Sequence, residues 1–420
     1  MINSGDTAWV LISAALVLFM TPGLAIFYAG MVRAKSALNM MMMSFSAIGI
    51  TTMIWVLYGY SLAFGKSQGG LIGNLDHLGL ANTLDQFSGA EGHQIPALAF
   101  AMFQLTFAII TVALLSGAIA DRAKFSALLI FVGVWITLFY LPIAHWAFAS
   151  QGGTGGWIID KLGALDFAGG TVVEINSGAA ALALALVLGK REGFKTESMR
   201  PHNMPLVLLG AGMLWFGWFG FNAGSALSAG SLAATAMINT QICTAAAAMS
   251  WVLLERFRDG KATTLGIASG AIAGAVAITP ACGFVNPLGA LVIGLIAGAL
   301  SAFAVSRKYK WGYDDSLDVV GVHGIGGLLG MLAIGFIATT TANSAGGLGL
   351  LNGGGTDLLG KQSIAILATA AFSFTATWLI ATLISKTIGF RAKREDELTG
   401  LDTVYHAESA YDISGNANRY

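Results

Sequence analysis

The sequence predicts an all-α polytopic membrane protein: eleven transmembrane helices, arranged as a 5+5 inverted repeat plus one extra helix. Three observations predict it. The chain of 420 residues is 55% hydrophobic and only 10% charged, with a mean hydropathy of +0.72. Soluble domains carry about 25% charged residues, so a soluble protein, and a soluble enzyme with it, is excluded. Apolar runs of bilayer-spanning length recur along the whole chain, and the fifth and tenth carry matching motifs with an ionisable residue at the same depth.

Composition also limits partners and cofactors. The 22 basic and 22 acidic residues cancel, which gives no ground for nucleic acid or any other strongly charged partner. Cys243 and Cys282, the only cysteines, lie far apart inside apolar segments, so no disulfide framework and no metal site is expected. No cofactor is expected either. The 55 glycines suit transmembrane helices whose backbones approach closely. Residues 1–7 carry no positive charge ahead of the first apolar run, so the start does not resemble a signal peptide.

Crossing a hydrocarbon core about 30 Å thick takes about 20 apolar residues. Such runs lie at about 8–30, 39–64, 97–120, 125–148 and 168–189. After the polar link 190–203 they resume at about 204–225, 232–254, 263–281, 285–305, 318–339 and 362–388. A transmembrane domain is thus expected over 1–389, with helices 1–5 at about 8–189, helices 6–10 at about 204–339 and helix 11 at about 362–388. Residues 390–420 form a C-terminal tail. When the connections are assigned alternately to two sides, all of the 22 lysines and arginines except Lys66, Lys161 and Lys361 fall on one side. That side is cytoplasmic by the positive-inside rule. The N-terminus is therefore outside and the tail inside, as an odd number of spans requires.

The fifth run opens with D-F-A-G-G-T-V-V-E-I-N-S-G (166–178), which sets Glu174 inside an apolar stretch. Ionisable groups within a span are costly, and they line a pathway or pair with a partner. The partner is named by D-S-L-D-V-V-G-V-H-G-I-G-G (315–327) in the tenth run. With Asp315 laid on Asp166, Val322 falls on Val173, Gly327 on Gly178 and His323 on Glu174. In both copies the ionisable residue follows an aspartate by eight positions, about 12 Å along a helix. The fifth run crosses from outside to inside and the tenth from inside to outside. The copies are antiparallel, and Glu174 and His323 can meet near mid-membrane, where inverted-repeat folds place their sites. The eleventh run has no counterpart.

Other side chains converge on the outer mouth. Phe148 ends the fourth span, and Phe221 and Ser225, in W-F-G-F-N-A-G-S, lie at the outer end of the sixth. Phe100, Phe103, Gln104 and Phe107 share one helical face of the third, with Phe107 deepest. Aromatic faces attract cations and a serine hydroxyl accepts hydrogen bonds, so this cluster suits a small cation. Aromatic residues also anchor helices at membrane interfaces, and that reading stands beside the first. Of the six histidines, His77, His93, His202 and His406 are expected to be solvated, and His145 to bond a neighbouring backbone. Asp166 is expected to brace the start of its helix by accepting backbone N–H groups.

At these residues the chain resembles the ammonium transporter family, the bacterial and plant Amt proteins and fungal permeases, and more distantly the Rh proteins. The resemblance runs through V-L-F-M-T-P-G-L-A-I-F-Y-A-G (17–30), L-D-F-A-G-G-T-V-V (165–173), G-W-F-G-F-N-A-G-S (217–225), S-G-A-I-A-G (269–274), T-P-A-C-G (279–283) and V-G-V-H-G (320–324). The tail motif G-L-D-x-x-x-H-x-E-x-A-Y (400–411) matches bacterial members. What the resemblance implies is a homotrimer in the cytoplasmic (inner) membrane, with one narrow hydrophobic pore per subunit passing ammonium as ammonia and a proton. It implies gate rings at Phe107 and Phe221, an outer ammonium site built with Ser225 and Phe148, Thr279 behind the pore, and Asp166 holding the outer site together; a proton relay through Glu174 and His323 is expected from the deep ionisable pair itself. It also implies that the tail around Gly400, Leu401 and Asp402 helps to place a PII-type (GlnK-like) signal protein.

The chain departs from the family pattern at two positions. Members usually carry tryptophan where Phe148 stands, so the mouth is expected to hold the cation less tightly unless Trp146 substitutes. Most carry histidine where Glu174 stands, while some fungal permeases have glutamate. Three other functions are compatible with a polytopic membrane chain. A potassium channel is disfavoured because an apolar pore offers few carbonyls in place of the hydration shell. An ion-coupled solute carrier would share the inverted repeat but needs ion ligands from broken helices, and none stands out. An ammonium sensor, or transceptor, signalling through its tail is the alternative to transport.

Overall fold

The computed structural model describes residues 1–411; the end of the expected tail, 412–420, lies outside the described residues. Among the described residues, ten helical segments are long and apolar enough to cross a bilayer. They are α1 (Ser4–Met31), α2 (Ala34–Phe64), α3 (Ala97–Ala118), α4 (Phe125–Phe148), α5 (Gly170–Leu188), α6 (Met204–Gly224) and α7 (Ser231–Asp259), then α9 (Pro287–Trp311), α10 (Val320–Ile337) and α11 (Asp357–Thr387). Between α7 and α9 lies a shorter apolar helix, α8 (Thr264–Ile278). It is shorter than the expected run of 263–281 because Pro280 has no N–H to extend the ladder. The chain turns there through Thr279–Val285 on bonds such as Ala281 N–H to the Ile278 carbonyl.

Polar caps mark where several helices begin. Asn3 accepts the Asp6 N–H at 3.0 Å, Asn203 the Leu206 N–H at 3.1 Å, Thr263 the Gly266 N–H at 2.8 Å and Asn286 the Gly289 N–H at 2.8 Å. Each satisfies one of the donors a helix start leaves unpaired, typically for about 1 kcal/mol. Burial then sorts the helices. In α3 and α5, 83% and 78% of the spanning window is buried, against 33% in α2 and in α11. The first two lie at the centre of the bundle, and the last two present most of their surface to the surroundings. The long α1 lies along α6, α7 packs on α8 and α9, and α11 packs on α5.

The two repeated motifs adopt the same local form. Both α5 and α10 open with a widened π-helical turn, Gly170–Ile175 and Val320–Gly324. Such turns are uncommon and tend to mark functional positions. The helices touch at Gly178 and Gly324, where a Cβ on Gly178 would lie 2.2 Å from the Gly324 Cα. No larger residue fits at Gly178 without separating α5 from α10.

The ends are called outer and inner as the charge distribution predicts. On the outer side, short antiparallel strand pairs order the loop between α2 and α3, Ser67–Gln68 with Ile72–Gly73 and Phe87–Ser88 with Ile95–Pro96. On the inner side an ionic network joins loops to tail. Asp314 accepts Arg191 through Nε and an Nη at 2.9 Å each and lies 3.9 Å from Arg122. Asp121 pairs with Arg33 at 3.1 Å and Arg191 at 3.5 Å, and Glu397 pairs with Arg391 at 3.0 Å. Burial alone would raise the Asp314 carboxyl, but the bonds and charges of Arg191 and Arg122 hold it below the usual carboxylate value. Burial pushes the Arg122 guanidinium down to about 10.

The described tail folds against this network as α12 (Arg394–Thr399) and α13 (Leu401–His406). The hinge is Gly400, whose φ of 121° suits glycine, and a Cβ there would meet the Lys35 Cβ at 2.7 Å. The Asp402 carboxylate accepts the Leu38 and Asn39 N–H groups at 3.0 and 2.7 Å, at the start of α2. Two histidines expected to be solvated are held in this region instead. His202 contacts the Val32 carbonyl and the Tyr411 hydroxyl, each at 2.8 Å, and His406 contacts Asn39 Oδ1 at 3.0 Å. Sequence alone could not bring residues so far apart together.

Candidate functional site

Three cavities lie in sequence from the outer mouth inward. The outermost, about 160 Å³, is lined by Phe100, Phe103, Gln104 and Phe107 from α3, Phe148 from α4, Asp166 and Phe167 before α5, and Ser225 and Leu227 after α6. The Ser225 hydroxyl donates to the Phe221 carbonyl at 2.8 Å. Its proton is thereby used within the helix end, leaving its lone pairs to accept from a ligand. Asp166 lies at the wall with both oxygens occupied. Oδ1 takes the Gly169 and Gly170 N–H groups at 2.9 and 2.6 Å, and Oδ2 takes the Thr171 N–H at 2.7 Å and its hydroxyl. The carboxylate caps α5 and leaves a negative charge beside the cavity without projecting a free oxygen into it.

Phe221 is not a wall of this cavity, although its position in the sequence suggests the same depth as Phe148 and Ser225. It lies one layer deeper. The Phe107 and Phe221 rings stack with centroids 4.1 Å apart and planes at 24°, Phe107 facing the outer cavity and Phe221 the next one in. Phe148 approaches Phe107 edge-on at 6.3 Å. Behind Phe221 stands Trp218, with ring centroids 5.7 Å apart. Its indole N–H donates to Thr279 Oγ1 at 2.8 Å, and that hydroxyl donates to the Ala275 carbonyl at 2.8 Å. Thr279 therefore reaches the ring stack through Trp218, a link no spacing in the sequence announced.

The second cavity, about 20 Å³, is walled by apolar side chains including Leu24, Ile110, Leu114 and Val173, with Glu174 and His323 as its ionisable members. One water needs about 10–15 Å³ measured this way, so one small molecule fits at a time. Glu174 Oε2 and His323 Nδ1 are 2.7 Å apart, with the two residues 1% and 5% exposed. The bond forms whether the acid donates to a neutral imidazole or the imidazole N–H donates to a carboxylate. His323 also lines the third and innermost cavity, about 10 Å³, with Tyr28, Ser269 and Asp318. Neither Tyr28 nor Asp318 stood out in the sequence.

Two further expectations meet geometry. Trp146 does not substitute at the mouth: its indole N–H donates to the Leu71 carbonyl at 2.8 Å and its ring packs on Phe372 at 4.8 Å. His145 bonds a backbone as expected, the Ala63 carbonyl at 2.8 Å, and meets Ser67 Oγ at 2.8 Å with its other nitrogen.

Comparison with known proteins adds the chemistry of the substrate. The family described as Ammonium Transporter Family matches residues 8–411. An ammonium transporter of Mycobacterium tuberculosis (strain ATCC 25618 / H37Rv) is 52% identical over 434 residues, covering 98% of this chain and 91% of the relative. The crystal structure of Saccharomyces cerevisiae Mep2 superposes with a TM-score of 0.86 at 35% identity, covering 94% of this chain and 91% of that one. A solved structure described as Sensor Amt Protein gives a TM-score of 0.87 at 29% identity, covering 96% and 98%.

Proposed function

Because this chain belongs to the ammonium transporter family, a set of multi-pass membrane transporters, we propose a route for its substrate through the three cavities. Ammonium is drawn into the outer cavity by the faces of Phe148 and Phe107 and by the charge of Asp166, and it donates to Ser225. It gives up its proton there to water, for which the outer cavity of about 160 Å³ has room, and ammonia slips past the Phe107 and Phe221 rings into the mid-membrane cavity. The proton follows through Glu174 and His323, and the two recombine on the inner side near Asp318. Asp166 and Thr279 hold the walls in place.

The observation that carries this reading is the Glu174 to His323 bond of 2.7 Å, enclosed by apolar walls in a space for one small molecule. Coupled groups titrate as a pair, and moving one proton along this bond exchanges a neutral pair for an ion pair of equal total charge. That is the property a relay needs. An apolar cavity admits neutral ammonia, and a potassium ion, which has no proton to give up, would have to enter charged.

The same reading includes eleven spans, with α8 completing its crossing through the turns at Thr279–Val285, and an inverted repeat whose two halves contribute Glu174 and His323. It includes a homotrimer in the cytoplasmic membrane, with the N-terminus outside. On the inner side the tail around Gly400, Leu401 and Asp402 receives a PII-type signal protein. Support for this comes from the lysine and arginine distribution and from the docked tail. Purified protein in a planar membrane tests the route: an ammonium jump should give a current, and electroneutral uptake would contradict it.

A further inference from the structure

The loop joining α6 to α7, residues 225–230, supplies Ser225 and Leu227 to the outer cavity, and a carboxylate outside that cavity holds it. Asp6, in the first turn of α1, is 4% exposed. Its Oδ1 accepts the Ala229 N–H at 2.7 Å, and its Oδ2 meets His93 Nδ1 at 2.8 Å. One turn on, the Trp9 indole N–H donates to the Ala223 carbonyl at 3.1 Å. The start of α1 therefore holds the chain on both sides of Ser225, the end of α6 at Ala223 and the loop at Ala229.

Past Ser225, whose hydroxyl is held by the Phe221 carbonyl, the loop's own bonds do not fix its position. The N–H groups of Ser225, Ala226 and Leu227 donate to the carbonyls of Asn222, Ala223 and Gly224, all within the same turn. These bonds shape the turn but do not set its distance from Phe107 and Phe148 across the cavity. Leu227 has a φ of 53°, a conformation unfavourable for leucine that persists only where surroundings enforce it. A buried carboxylate is itself costly unless it is bonded, so Asp6 accepting from Ala229 satisfies both.

We propose that Asp6 is a positioning residue for the outer ammonium site, holding through Ala229 the loop that seats the Leu227 side chain against Phe107 and Phe148 beside the Ser225 hydroxyl. This rests on the reading of the outer cavity as that site. His93, with 61% of its side chain exposed, bonds the other Asp6 oxygen, Oδ2, and not the one that holds Ala229. The residue tunes affinity and leaves the deeper relay alone.

The test is the half-saturating ammonium concentration and the maximal current of Asp6→Ala, Asp6→Asn, His93→Ala and Ser225→Ala at matched protein density. Losing a hydrogen bond to a charged group should raise half-saturation about tenfold in Asp6→Ala, with maximal current within about twofold. In Asp6→Asn the side-chain carbonyl still accepts from Ala229, and most of the affinity should return. His93→Ala should stay within about twofold of wild type. If Asp6→Ala does not fold, Asp6→Ser, too short to reach Ala229, takes its place. A raised half-saturation in Ser225→Ala but not in Asp6→Ala overturns the proposal, as does a fall in maximal current alone or failure of Asp6→Asn to recover affinity. No effect of Ser225→Ala overturns the outer-site reading instead.

Discussion

The rings of Phe107 and Phe221 lie face to face, 4.1 Å between centroids, with the outer cavity against one and the mid-membrane cavity against the other. Two stacked rings leave no room for a hydrated ion and offer no replacement for its hydration shell. Removing both, in Phe107→Ala/Phe221→Ala, should join the two cavities and admit potassium, seen as current in potassium chloride without ammonium. Each truncation also costs about 3–5 kcal/mol of packing, so thermal melting must accompany the recording. If the double variant is folded and still excludes potassium, the barrier lies elsewhere.

At the mouth, Phe148→Trp should lower the half-saturating ammonium concentration by about two- to fivefold, since tryptophan is the best cation-binding face and such contacts gain about 0.5–1 kcal/mol. Trp146 cannot mask the effect, because its ring is committed to Phe372 and its N–H to Leu71. Equal half-saturation in Phe148→Trp and wild type would remove the aromatic face from substrate binding.

Much of this arrangement was legible in the sequence because it follows from local periodicity. Apolar length and charge segregation marked the spans, and the shared spacing of eight residues put Glu174 and His323 at one depth on antiparallel helices. Asp166 as a cap on its own helix is equally local. The rest depends on which side chains face one another across helices. Trp218 reaching Thr279, Asp6 reaching Ala229 and Asp402 reaching the start of α2 join residues 61, 223 and 364 positions apart at most. Phe221 groups with Ser225 at the outer end of α6, yet it stands four residues before it, about 6 Å deeper along the helix, which puts its ring one layer further in.

Asp314 should be the acid-sensitive brace of the inner face. Its carboxyl sits below the ordinary aspartate value of 3.8, so the unfolded chain binds its proton more readily and the stabilisation is complete above that value. It is lost as pH falls through the depressed value. Melting temperature in detergent should therefore hold to about pH 4 for this group and fall below it. Asp314→Asn leaves Arg191 and Arg122 facing a neutral partner and should cost about 3–5 kcal/mol at pH 7. A melting temperature equal to wild type at pH 7 would show that the network does not need this charge.

The tail should lose its seat when its hinge or its cap is altered. Gly400→Ala places a Cβ 2.7 Å from Lys35 Cβ at a φ of 121°, and Asp402→Asn removes the charge facing the Leu38 and Asn39 N–H groups. Both should weaken binding of the PII-type protein proposed as the tail's partner by about tenfold while ammonium current persists; loss of a helix cap alone is worth about 1 kcal/mol. Unchanged binding in both variants would place the docking surface away from the tail.

The most direct measurement is the ammonium-jump current of Glu174→Gln and His323→Ala in planar membranes, recorded beside uptake of uncharged ammonia at matched protein density. Glutamine keeps the shape and a hydrogen bond to His323 but cannot release a proton, so current should fall by about 100-fold or more, within the range for loss of a positioned proton-transfer group, while ammonia uptake continues. Glu174→His should retain current at an altered rate. Undiminished current in both Glu174→Gln and His323→Ala would show that the proton takes another path and that the pair only lines the pore.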